Sequence, residues 1–431
     1  MSAEELLERA GRARRPGGPV TGGSRAGALA GRLGVVLLRQ LGRQLDVGSV
    51  TVTAAGRSWR AGEGEPHASV VVHDDRAVAA LVARGSVGLG EGYIEGWWDA
   101  DDLTALVRVL VANRGRLGKV RDDLGRLVHP LLDPLRRLGA PAKADDRRRV
   151  RAHYDLGDEL FALMLDPTMS YSCAVFERPG MSLEEASVAK LDRICRRLGL
   201  GPGVHLLEIG AGWGGLACHA AARYGCRVTT TTISAAQEAA VRERVAREGL
   251  GRLVEVRGDD YRDLAGHGRF DRLVSIEMVE AVDWRRLDTF FSTCARLLRP
   301  DGLMALQAIT IDDRSYHRAK AGTDFVKAYV FPGSCLPSVE VLVRAAARVG
   351  LRLTGLEDIG HHYAETLRRW RANLDERADE VAALGLGERF ERLWRLYLSY
   401  CEAAFLERHV SDVQMVLATP GWRDQLAGCA G

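Results

Sequence analysis

Two glutamates, Glu277 and Glu280, stand in SIEMVEAV (275–282), which follows FDRLV and reads as the end of a hydrophobic strand. A carboxylate at the end of a buried strand is costly unless a charge, a proton or a ligand answers it. A second stretch able to do chemistry is LLEIGAGWGG, where Gly210, Gly212 and Gly214 follow a strand pattern and precede a helical one. Glycines there permit a tight turn and let a bound nucleotide or amino-acid moiety approach the backbone. The pair His361 and His362 invites a metal reading, whereas Cys173 and Tyr363 taken by themselves read as buried packing residues. Adjacent histidines seldom share an ion and no acid cluster accompanies these, so no metal site is expected.

Two details of the glycine turn bear on its ligand. Glu208 lies two residues before the first glycine, where an acid suits the ammonium end of a methionine moiety. A dinucleotide site expects an Asp or Glu about 20 residues past the glycines, but this chain has RVTTTTIS there. Thr232 and Gln237 must supply the polar contacts instead. The pattern favours S-adenosyl-L-methionine, with a nicotinamide oxidoreductase as the competing reading.

These groups need elements to hold them. From about residue 182, strand patterns (VHLLEIG, RVTTTTIS, LVEVRGDD, FDRLVSIEM, LMALQAITI) alternate with helical ones. Such alternation builds a parallel sheet with helices on both faces, whose ligands bind at the carboxyl ends of the strands. Ahead of it, residues 31–112 mix helical and alternating patterns and read as a small α+β domain. Its end, GYIEGWWD, crowds Tyr93, Trp97 and Trp98 into a turn, either as a minor core or as a lipid or interdomain contact. Residues 1–30 read as a disordered basic tail and 113–151 as a basic linker. Over 114–151 the linker holds twelve Lys/Arg against five Asp, a larger excess than the net charge of +3 on the whole chain. It suits an anionic membrane surface or a solvated helical linker. Residues 363–410 form a helical insertion in which Phe390, Leu393, Trp394, Tyr397, Leu398, Cys401 and Phe405 share one face, as core or as the wall of an acyl tunnel.

Composition limits the rest. At 431 residues, 46% hydrophobic and 27% charged, the chain is globular and of about two domains. The net charge of +3 is too small to imply nucleic acid as the main partner, and none is expected. Eight cysteines without CxxC pairing imply a reduced, cytoplasmic setting. No apolar stretch has the length of a membrane span.

HYDLGDELFALMLDPTMSYSCAVFE (153–177), LEIGAGWGG, TTISAAQ, DDYRDL, MVEAV, KAYVFPGSCLPS (327–338) and HYAETLRRW (362–370) recur in order. Together they resemble the cyclopropane-fatty-acyl-phospholipid synthase family and its mycolic-acid and methylene-branching relatives. The resemblance implies an α/β, Rossmann-like class I methyltransferase domain over 152–431, with a mostly parallel seven-stranded sheet. It implies methyl transfer from S-adenosyl-L-methionine to the cis double bond of a phospholipid acyl chain. It also implies a bicarbonate ion as base, held by Cys173, Glu280, the Ile309 amide and Tyr363. Tyr171, Ser172, Gly210, Gly212, Thr232, Gln237 and Tyr261 match positions around the methyl donor, as does Asp260 of DDYRDL.

The chain departs from the family pattern at four positions. Gln307 replaces a histidine and Ala308 a threonine, and glutamine donates hydrogen bonds but takes no proton. Ala281 replaces another histidine. Glu277 stands where many relatives have glycine, and a structural ion pair is its simplest reading. Expected partners are a bilayer with unsaturated acyl chains, met at its inner face, a reductase that acts on the product, and a second copy in a homodimer. A 10-methylene chain is the favoured product and a cyclopropane the alternative; a non-catalytic lipid-binding protein is the reading from another class.

Overall fold

The computed structural model describes residues 35–118, 157–266 and 269–423. The tail over 1–30 and most of the basic linker over 113–151 lie outside the described residues. Those described form two units, one of residues 35–118, 322–332 and 370–409, the other of 157–321, 333–369 and 410–423.

The first unit carries β1 (Gly48–Ala54), β2 (Arg57–Glu63), β3 (His67–Val72) and β4 (Trp98–Ala100) in the order β2-β1-β3-β4. The β1 alternation GSVTVTA buries both valines, the period-2 pattern of a strand with one inner face. Tyr93 and Trp98 are buried with ring centroids 5.1 Å apart, and Trp98 Nε1 donates to the Leu89 carbonyl at 3.0 Å. Of the two readings of that aromatic turn, core packing describes these two rings. Trp97 is half-buried beneath the Arg76 guanidinium, 4.7 Å from the ring centroid. The helix Glu388–Leu406 buries Phe390, Leu393, Trp394, Tyr397, Leu398 and Phe405. It packs on the helices Ser86–Ile94 and Leu103–Ala112, so its apolar face is core. Arg392 ties it down by donating to the Tyr93 carbonyl at 2.6 Å and to Asp99 at 2.7 Å.

The second unit is built on β5 (His205–Ile209), β6 (Arg227–Thr231), β7 (Val254–Arg257), β8 (Phe270–Ile276), β9 (Leu298–Ile311), β10 (Arg352–Asp358) and β11 (Val410–Ala418). The sheet order is β10-β11-β9-β8-β5-β6-β7. The pairs β5/β6, β6/β7, β5/β8 and β8/β9 are parallel, whereas β11 runs antiparallel to both β9 and β10. The expected mostly parallel seven-stranded sheet is therefore present. Helices Leu183–Arg197, Gly215–Tyr224 and Ala235–Arg247 cover one face, and Leu287–Leu297 and Val339–Arg348 the other, each over its own apolar cluster. The first of these starts at a capping box, in which Ser182 accepts from the Glu185 amide and Glu185 from the Ser182 amide.

Candidate active site

The parallel strands bring their carboxyl ends to one edge of the sheet. Gly210 follows β5, Thr232 follows β6, Asp260 and Tyr261 lie beyond β7, and Glu277 and Glu280 beyond β8. Ile309 is near the end of β9. Because β11 is antiparallel, its beginning lies on the same edge, with Asp412 paired to Ile309 and Gln414 to Gln307.

The glycine turn has the shape expected. Gly210 has φ +97° and Gly212 φ +51°, and a Cβ added at Gly212 would meet nothing within 4 Å. The backbone there borders open space that a ligand can enter. Glu208, buried on β5, accepts from the Thr230 hydroxyl on β6, and burial pushes its carboxyl up to about 8. Thr232 Oγ1 donates to Gln237 Oε1 at 2.8 Å. Asp260 is buried and paired with Arg262 at 2.6 Å; Tyr261 packs edge-on against Phe290 at 5.6 Å. Tyr171 lies edge-on to Phe161 at 5.1 Å, and Ser172 Oγ accepts from the buried Lys190 ammonium at 2.8 Å. Polar groups around a glycine turn whose backbone borders open space fit S-adenosylmethionine.

Glu277 is the first residue after β8 and has φ +47°, the left-handed region that non-glycine residues seldom adopt. Its amide donates to the Gln307 carbonyl at 2.8 Å. Its Oε1 accepts from the Cys173 amide at 2.8 Å and from Gln307 Nε2 at 2.8 Å; its Oε2 accepts from the Tyr363 hydroxyl at 2.6 Å. All three donors are neutral, so the ion pair expected of this residue is replaced by a hydrogen-bonded cradle. Lys190 contributes only its charge from further away.

Gln307 is buried and fully engaged. Its Nε2 donates also to Asp412 Oδ2 at 2.8 Å, while its Oε1 accepts from Gln414 Nε2 at 3.0 Å. Donation from Nε2 to the Glu277 and Asp412 oxygens sets which end of the amide faces the carboxyls, and Gln414, an amide itself, meets the other end. Burial first, then the neighbouring Glu277 charge, push the Asp412 carboxyl well above the usual range. Glu280 is buried, its Oε1 accepts from the Ile309 amide, and burial followed by repulsion from Glu277 pushes it up to about 8. Glu280 Oε2 and Asp412 Oδ1 are buried without a hydrogen-bond partner among the described residues, a cost unless a proton or a ligand meets them.

The Cys173 thiol points to carbonyls, that of Ala174 at 3.3 Å and that of Ile359 at 3.7 Å. Burial holds it protonated, so this residue reaches the cradle through its amide. Tyr363 is in the first turn of the helix Gly360–Glu376. His361 and His362 lie tilted against each other with ring centroids 3.8 Å apart, and neither bonds to the cradle.

Asp412, Gln414 and Lys190 were not singled out in the sequence. The first two carried a signal: polar residues at i and i+2 within the apolar strand VSDVQMVLA occupy one face. Lys190 carried none, being one charge among several in the helix Leu183–Arg197.

Residues 142–415 match the mycolic acid cyclopropane synthetase family. The tuberculostearic acid methyltransferase UfaA1 of Mycobacterium tuberculosis is 38% identical over 374 residues, 84% of this chain and 86% of that protein. The cyclopropane-fatty-acyl-phospholipid synthase of Escherichia coli K12 is 35% identical over 361 residues, 82% and 89% of the two chains. Among solved structures, mycolic acid cyclopropane synthase CmaA1 complexed with SAH and CTAB superposes with a TM-score of 0.59 at 34% identity. It covers 64% of this chain and 99% of its own. The chain thus belongs to the mycolic acid cyclopropane synthetase family and is an enzyme on the class I S-adenosylmethionine-dependent methyltransferase fold.

Proposed function

We propose that this enzyme transfers the methyl group of S-adenosylmethionine to the cis double bond of an unsaturated phospholipid acyl chain, leaving a 10-methylene chain. The observation that carries this reading is the cluster of carboxylates, Glu277, Glu280 and Asp412, on the same sheet edge as the glycine turn. An alkene is a weak nucleophile, and the bound sulfonium would supply the electrophilic methyl it needs. Attack leaves a carbocation on the acyl chain. Negative charge in a water-poor pocket stabilises that cation, and a carboxylate can then accept a proton.

The methylene product is favoured by Gln307. Its amide is held at both ends and relays no proton, which leaves time for a hydride shift before deprotonation. The 38% identity to a tuberculostearic acid methyltransferase points the same way. Cyclopropane closure on the same substrate is the second reading, favoured by the 35% identity to the cyclopropane synthase. A methylene product would pass to a separate reductase to become a methyl branch. The same reading has the enzyme working as a homodimer at the inner face of the membrane; no helix among the described residues is long and apolar enough to cross one.

Dioleoyl phospholipid vesicles with S-adenosylmethionine test the proposal. Release of S-adenosylhomocysteine with vinylidene protons in the NMR spectrum of the lipid is expected. Upfield ring-methylene signals would replace the methylene reading by the cyclopropane one, and tight NAD(H) binding without response to the methyl donor would remove both.

A further inference from the structure

The donors that the family resemblance assigns to a bicarbonate ion are taken by the protein's own carboxylates. The Cys173 amide and the Tyr363 hydroxyl end on Glu277, as does Gln307 Nε2, and the Ile309 amide ends on Glu280. A bicarbonate there would compete for the same hydrogens. It would also bring negative charge beside Glu277, Glu280 and Asp412, and burial first, then the neighbouring Glu277 charge, already raise the proton affinity of the last two. The residues do not fit the ion.

What they fit is the carboxylate already in place. Glu277 holds a backbone conformation disfavoured for any residue with a side chain, and its hydrogen bonds are what the fold gains from it. Its surroundings are graded: Cys173, Gln307 and Tyr363 are buried, whereas Glu277 is only half-buried. One side of the carboxylate is clamped and the group still reaches an accessible surface.

We propose that the Glu277 side chain takes the place of the bicarbonate ion and is itself the base of the reaction. This rests on the acyl-chain methylation proposed above. The methyl–sulfur bond breaks as a methyl–carbon bond forms to one alkene carbon, leaving the positive charge on the other. A hydride shift moves that charge to the methylated carbon. A C–H bond of the added methyl then supplies the electron pair of the new double bond, and its proton goes to a Glu277 oxygen. The sulfonium charge thus leaves as one proton, with no oxidant or reductant required, and water can remove it from the half-buried carboxyl.

The test uses the full chain, as wild type, Glu277→Gln and Glu277→Gly. Glycine accepts the left-handed backbone and opens the cradle, so this variant should fold; a thermal melt checks it. In bicarbonate-depleted buffer, wild-type turnover should be unchanged, while both variants should fall by roughly 10²- to 10⁴-fold, the range of a positioned base. Added bicarbonate or formate should restore Glu277→Gly and leave Glu277→Gln inactive. Loss of wild-type activity on depletion, or normal turnover of either variant in depleted buffer, would overturn the proposal. Binding provides a readout independent of turnover: ¹³C-labelled bicarbonate and formate should show saturable NMR broadening with Glu277→Gly and none with wild type, and the reverse would overturn the occupancy. A wild type that releases no S-adenosylhomocysteine with or without bicarbonate removes the acyl-methylation reading and the base role with it, while the NMR arm still decides which carboxylate fills the cradle.

Discussion

Gly212→Val separates the cost of a backbone conformation from the cost of lost ligand space. At φ +51° an L-residue is strained by about 1–2 kcal/mol. No atom lies within 4 Å of the added Cβ, so no clash adds to that strain. Unfolding in urea should therefore show a loss of only about 1–2 kcal/mol in the free protein. The open space is where we place S-adenosylmethionine, and a branched side chain would fill it. Calorimetry should show affinity reduced at least a hundred-fold, equivalent to about 2.8 kcal/mol. Gly215→Ala supplies the contrast. Its Cβ would lie 2.6 Å from the Thr168 carbonyl oxygen, so it should destabilise the fold itself. Wild-type cofactor affinity in Gly212→Val would refute the assignment of the turn. A stability loss above about 4 kcal/mol would refute the claim that the Cβ faces open space.

Above pH about 8, where the Glu280 carboxyl is ionised, Glu280→Gln should cut turnover by orders of magnitude and leave cofactor affinity unchanged, as for an interaction made at the chemical step; a near-normal rate on dioleoyl vesicles there would reject a role for its charge. Glu280 rises from an ordinary 4.5 to about 8 on folding, so the folded chain holds a proton that the unfolded chain releases across that interval. Its stabilising contribution is present below the lower value and is lost as pH rises through the upper one, with a slope of at most about 1.4 kcal/mol per pH unit, and Glu280→Gln should flatten that slope in urea titrations at successive pH values. Binding to anionic vesicles should weaken with salt and on replacing Arg147, Arg148 and Arg149 by Ser; salt-insensitive flotation would assign docking to apolar contacts.

The sheet and the edge that carries the site were legible because their signals are local. Each parallel strand is an apolar run, and the glycine turn is contiguous in the chain. What escaped was non-local or conformational. The edge strand β10, with exposed or half-buried positions throughout RLTGLED, lacks an apolar run to mark it. Glu277 read as an ion-paired residue because its partners come from positions 104, 30 and 86 residues away in the chain. No periodicity announces contacts of that kind. Its left-handed backbone was hinted at only by the family's preference for glycine there. Asp412 and Gln414 lie in an apolar strand pattern, DVQMVLATP; the register that sets them beside Ile309 and Gln307 depends on pairing with β9.

The placement of β11 bears on how the enzyme is made. The last strand of the described chain is inserted between β9 and β10 rather than added at a rim, so these two strands cannot complete the sheet until residues 410–418 have emerged and threaded in. Contacts of such long sequence separation form late, after the cost of closing the intervening loop has been met. Asp412 and Gln414 arrive with that strand, and without them the Gln307 amide keeps only its bond to Glu277. A nascent chain can thus have formed its glycine turn and the Cys173, Gln307 and Tyr363 bonds to Glu277 before β11 clamps the Gln307 amide from the other side. The contacts from Asp412 and Gln414 are the last of the site to form.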